Sequence, residues 1–159
     1  MSALKCMSQR EVLAAAVGNS TPLTALQGRE ALSTALRAAA AGGLLGPLDA
    51  LLARRNELEL EAKNENGMTA LMLAALGGHT EVVDRLLAVG AAVNARDEHY
   101  GTALMRAAYG GHSVAAERLV AAGADVNAED AYGQTALHIA DQERHGAVGH
   151  LLRRLGATE

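Results

Sequence analysis

TALMLAALGGHTEVVDRLLAVGAAVNARD, residues 69–97, decides how this chain is read. Leu71, Ala74 and Ala75 fall on one face of a helix. Thr69 stands just ahead of that apolar run, where its hydroxyl oxygen can accept an unpaired backbone N–H of the first turn. Gly77-Gly78 ends the helix, with at least one of the two in the left-handed region. EVVDRLLAVG, residues 81–90, forms a second helix carrying Val82, Val83, Leu86 and Leu87, and Gly90 stops it. AAVNARDEHYG then leads away as a turn or short hairpin.

The same pattern returns every 33 residues: Thr69-Ala70-Leu71, Thr102-Ala103-Leu104 and Thr135-Ala136-Leu137. Ala74, Ala107 and Ala140 keep that step, as do His79, His112 and His145, and Leu86, Leu119 and Leu152. A weaker copy lies upstream at Thr34-Ala35-Leu36, followed by Gly42-Gly43; its step to Thr69 is 35, which places two extra residues in ARRNELEL, after the second helix. Four units follow, at about 31–63, 64–96, 97–129 and 130–159. One unit cannot bury its apolar faces alone, whereas stacked units can. Arg153 stands where Leu87 and Val120 stand in earlier units, which fits a solvent-facing last unit. Residues 1–30 fall outside the pattern; SQREVLAAAV (8–17) reads as a helix and GNSTP as a break, giving an N-terminal helical cap or a degenerate repeat.

On these residues the chain resembles the ankyrin-repeat family over about four fifths of its length. The resemblance implies an all-α repeat solenoid of stacked helix-turn-helix units with projecting β-turns. It also implies that the histidine of each unit ties down the loop between its two helices. Its concave surface, made by turns and first helices, is where a partner protein would bind.

Composition agrees with close helix packing. Half of the 159 residues are hydrophobic, yet Phe and Trp are absent, so Leu, Ala, Val and Met must build the core. A net charge of -4 and a pI near 5.9 argue against a dedicated nucleic-acid backbone binder, which needs clustered Lys and Arg. The single cysteine, Cys6, forbids a disulfide within the chain and fits a reducing compartment. No signal peptide or membrane-span pattern is read, so the expected setting is the cytoplasm, with the nucleus as second location.

Several features mimic chemistry. The recurrent histidines could suggest a metal, but zinc-ligand spacings and a cysteine pair are lacking. Gly-Gly at 77–78 and 110–111 belongs to neither GxxxxGK[ST] nor GxGxxG and serves the loops. Asp97-Glu98 and Glu129-Asp130 sit at recurrent turns, where Asp is favoured for local backbone bonds. No nucleophile-base arrangement is legible, so no enzyme, cofactor or metal is expected. ELELEAKNEN (57–66) reads as an extended, solvated connector, and the last unit is basic through Arg144, His145, His150, Arg153 and Arg154.

Specificity in such an array comes from residues that depart from its regular pattern. Carried over from the family resemblance, the partner-binding candidates are Met68, Leu76, Arg96, Glu98, His99, Tyr100, Tyr109, Glu129, Tyr132, Gln134 and Gln142. They include all three tyrosines of the chain, on or near one face; tyrosine supplies apolar area and a hydroxyl at binding hot spots. The alternative for Tyr100 and Tyr132 is packing of one turn on the next. The expected function is a non-enzymatic protein-protein interaction module, an adaptor, regulator or inhibitor, monomeric on its own. The alternative is a structural or self-associating scaffold.

One place breaks register. Tyr100 occupies the position of Gly67 and Gly133, and Gly101 follows it. A left-handed Tyr100 would carry strain of about 1 kcal/mol or more; otherwise the turn is rebuilt around Gly101.

Overall fold

The structure is a computed structural model and describes residues 28–158. Cys6 and the helix expected at 8–17 lie outside the described residues, as does almost all of the expected cap at 1–30. Among the described residues four helix pairs follow one another: α1 (Arg29–Ala41) with α2 (Leu45–Ala53), α3 (Ala70–Gly77) with α4 (Thr80–Ala88), α5 (Ala103–Gly110) with α6 (Ser113–Ala121), and α7 (Ala136–Gln142) with α8 (Gly146–Arg154). First helices stack in one row, α1 on α3 on α5 on α7, and second helices stack in another. No strand forms among the described residues, so the connectors are turns and not hairpins.

The stacking follows from side-chain size. Ala35, Ala39 and Ala40 of α1, and Ala70, Ala74 and Ala75 of α3, are buried. So are Ala103, Ala107 and Ala108 of α5, and Ala136 and Ala140 of α7. These methyl groups let neighbouring first helices approach closely. The second helices add large buried side chains to the core. Leu48, Leu86, Leu119 and Leu152 are each fully buried, and burial of one such leucine stabilises by about 2 kcal/mol. Leu87 is only half-buried, and Arg153 at the same place in α8 is exposed and paired with Asp141 at 2.7 Å.

The starts of α3, α5 and α7 and the ends of α3 and α5 have local causes. The Thr69, Thr102 and Thr135 side chains accept from the backbone N–H of Met72, Met105 and His138, at 3.3 to 3.4 Å. Gly78 (φ 69°) and Gly111 (φ 76°) turn left-handed just past α3 and α5. The last unit has no glycine there, and Arg144 takes the same conformation with φ 60°.

The recurrent histidines connect units more than they hold their own loops. Their Nε2 atoms bond carbonyls at the end of the preceding first helix: His79 to Ala41, His112 to Leu76 and His145 to Tyr109, each at 3.0 Å. The ring of His112 fills the space beside Gly78, where a Cβ would come within 2.4 Å of Nδ1. The glycine and the next unit's histidine are therefore one packing device.

Two sequence expectations need correction. Thr34 does not cap its helix as Thr69, Thr102 and Thr135 do: α1 begins at Arg29, and Thr34 lies inside it, accepting from Arg37 at 3.0 Å. The stretch 57–66 is a solvated connector only in part. A 3-10 turn at Arg55–Glu57 precedes it, and Leu58 is buried. Glu61 accepts from the backbone N–H of Ala92 at 2.8 Å, and Lys63 donates to the carbonyl of Arg96 at 2.8 Å. An apolar residue beside a stack of helices is drawn into the core whatever the charge of its neighbours.

Candidate partner-binding site

The turns ahead of α3, α5 and α7 share one backbone design. In each, a first residue accepts on a side-chain oxygen from two backbone N–H groups further along. Asn64 accepts from Asn66 and Met68 at 3.0 and 2.9 Å. Asp97 accepts on Oδ1 from His99 and Gly101, both at 2.9 Å. Asp130 accepts on Oδ1 from Tyr132 and Gln134 at 2.8 and 2.9 Å. Short polar side chains favour this local bonding, which is why they recur here.

The middle turn keeps that design with different side chains. Tyr100 has φ 62°, close to the 72° and 73° of Gly67 and Gly133, so the turn is conserved in shape and the tyrosine carries the left-handed conformation. Its ring lies 6.0 Å from the guanidinium carbon of Arg96, a cation–π contact. Gly101 is needed for another reason. A Cβ there would come within 2.8 Å of Asp97 Oδ2 and 3.0 Å of Arg106 Nη2. Arg106 replaces Leu73 and Ile139 of the neighbouring units, and its Nε and Nη2 both donate to Asp97 Oδ2, the Nε at 3.1 Å. The Asp97 side chain is fully shielded from solvent. Burial alone would raise its pKa. The Arg106 hydrogen bonds, the N–H groups of Gly101 and His99, and the Arg106 charge outweigh burial and hold it below the usual aspartate value.

Between α5 and α7 this arrangement opens a cleft of about 210 Å³. Tyr109, Met105 and Arg106 line it from α5, Ile139 and Gln142 from α7, with Glu143 just beyond; His99, Asp130, Tyr132 and Gln134 line it from the turns. Tyr109 and Tyr132 are 53% and 73% exposed, so neither is consumed by the core. His99 and Tyr132 lie against each other across adjacent turns, ring centroids 6.2 Å apart and planes tilted by 33°, and the N–H of Ala131 bonds the carbonyl of His99 at 2.9 Å. Gln134 donates to Gln142 at 3.1 Å.

Of the residues singled out from sequence, the cleft gathers His99, Tyr109, Tyr132, Gln134 and Gln142. Tyr100 is exposed, at 59%, but does not line it. Glu98 and Glu129 are exposed on the same run of turns, whereas Met68 and Leu76 are half-buried in the unit before. Arg96 is engaged with the scaffold: its guanidinium donates to the carbonyls of Tyr100 at 3.2 Å and Glu129 at 2.7 Å. Sequence reading missed Met105, Arg106, Asp130 and Ile139. Arg106 was legible in principle, because an arginine in register with Leu73 and Ile139 coincides with the shift of glycine from 100 to 101.

Among the described residues no group of three or more His, Cys, Asp and Glu side chains is placed to hold a metal ion. No helix of the described residues is long and apolar enough to cross a membrane. The cleft offers apolar, aromatic and hydrogen-bonding surface, which is suited to recognition.

No curated protein matches the chain. A family model described as ankyrin repeats (many copies) matches residues 51–104 and 98–140, more than half of the sequence. The stacked helix pairs seen here are of that kind, and the family supports a general role in protein interaction. The chain belongs to the ankyrin-repeat family.

Proposed function

We propose that this chain is an interaction module that holds a partner protein in the cleft between α5 and α7, as an adaptor, regulator or inhibitor. In this reading the turns at 97–101 and 130–134 project beside the cleft and frame it, and the array comprises units at about 31–63, 64–96, 97–129 and 130–159. The observation that carries the proposal is the exposure of Tyr109 and Tyr132 on one concave surface, in a protein without Phe or Trp. Exposed aromatic side chains at a concave site are an energetic liability to a free monomer and a resource for binding. The proposed setting is the cytoplasm, with the nucleus second.

The test is competition by chemical labelling. Tyr109 and Tyr132 are labelled with a tyrosine-selective reagent in the free chain and in the chain saturated with a bound protein or peptide. Protection of both, with Val114 of α6 unaffected in a parallel hydrogen-exchange measurement, supports docking in this cleft. Protection confined to the second-helix face would contradict it.

A further inference from the structure

Asp97 and Asp130 hold equivalent turns with equivalent Oδ1 bonds, and differ in what meets Oδ2. Asp97 Oδ2 receives Arg106. In the next unit Ile139 stands at the place of Arg106, and no side chain among the described residues bonds Asp130 Oδ2. The turn itself does not need the charge. Asn64 makes the same two bonds with a neutral amide oxygen. The carboxylate of Asp130 is therefore surplus to the fold, and Asp130 lines the cleft.

The surroundings favour a cation at that carboxylate. Glu143 also lines the cleft, and the cleft's own cation, Arg106, is already bonded to Asp97. Arg96, the nearest other cation along the turns, points its donors at backbone carbonyls. The aromatic faces of Tyr109 and Tyr132 suit a guanidinium, which stacks on such rings and bonds a carboxylate in the same plane.

Resting on the cleft as the docking site, we infer that the partner is a polypeptide segment that seats an arginine side chain in it, donating to Asp130 Oδ2 as Arg106 donates to Asp97. The docked segment takes over in trans the pairing that the preceding unit makes in cis. Charge complementarity selects a basic segment over an acidic or purely apolar one.

The experiment selects random 12-residue peptides displayed on phage against the full chain, then measures selected synthetic peptides by fluorescence anisotropy. Asp130→Asn is the decisive variant, because Asn64 shows that asparagine supports this turn; the melting temperature checks that it folds. The expected result is enrichment of arginine at one position. Affinity falls about fivefold or more in Asp130→Asn, the loss shrinks when that arginine is replaced by citrulline, and binding is lost in Tyr109→Ala/Tyr132→Ala. Peptides that require the tyrosines yet lack a cation and ignore Asp130→Asn would overturn this inference and leave the cleft as the docking site. Peptides indifferent to both tyrosines, or the capture of none, would overturn both.

Discussion

Arg106 reaches Asp97 through the space that a side chain at position 101 would fill. This one pair explains the displaced glycine of the middle turn. In the unit before it, Leu73 needs no such path, and Met68 stands where Gly101 does. Two substitutions within one unit are thus a single change: an arginine on the helix and a glycine that leaves it room to reach Asp97.

The coupling has a measurable consequence. Gly101→Ala should lower stability by about 1 to 3 kcal/mol, because the new methyl group forces the ion pair apart. Gly101→Met combined with Arg106→Leu restores at these two positions the side chains of the preceding unit. In urea unfolding the double variant should be more stable than the sum of the two single losses predicts. Additive losses would show that Gly101 and Arg106 are independent.

The same pair sets a pH dependence. The pKa of Asp97 is held below the usual aspartate value in the folded state. Its contribution is therefore fully present above the unfolded-state value of about 3.9 and is lost as pH falls toward the lower folded value. Wild-type melting temperature should drop more steeply below about pH 4 than that of Asp97→Asn/Arg106→Leu, in which the group is gone. Parallel curves would remove Asp97 from the acid response.

Left-handed residues other than glycine give a second stability test. Arg144, with φ 60°, sits where Gly78 and Gly111 sit in earlier units. Arg144→Gly should stabilise by about 0.5 to 1 kcal/mol, the relief of left-handed strain less the added freedom of the unfolded chain. Tyr100→Gly should gain less, since it also gives up the contact with Arg96. Thermal unfolding of the two variants ranks them directly.

Much of this architecture was legible from spacing. The period of 33 located the capping threonines, the helix-ending glycines and the alanine faces, because each is forced by backbone geometry or by the distance between stacked helices. The start of the first helix was not legible: it lies before Thr34, at Arg29, and Gly28 ahead of it makes no side-chain cap bond. At the site, aromatic residues stood out by rarity, and five of the selected positions converge on the cleft. Arg96 also has a structural part that its spacing did not announce. An arginine in a connector serves the nearest carbonyls first, and two of them lie within its reach.

A transplant tests whether the two turns are truly equivalent. Ile139→Arg with Gln134→Gly reproduces in the last unit the side chains that accompany Asp97. The added guanidinium should pair with Asp130, raise the melting temperature or leave it unchanged, and block arginine-bearing peptides from the cleft. Undiminished peptide affinity in this variant would separate the peptide site from Asp130.

The central claim is that this array recognises a partner through the aromatic cleft between α5 and α7. The most direct measurement is the dissociation constant of a captured polypeptide for wild type and for Tyr109→Ala/Tyr132→Ala, with far-ultraviolet circular dichroism recorded on both. The account predicts affinity weakened at least about tenfold, as loss of two hot-spot tyrosines entails, with the helical spectrum unchanged. Equal affinity for the two proteins would contradict it.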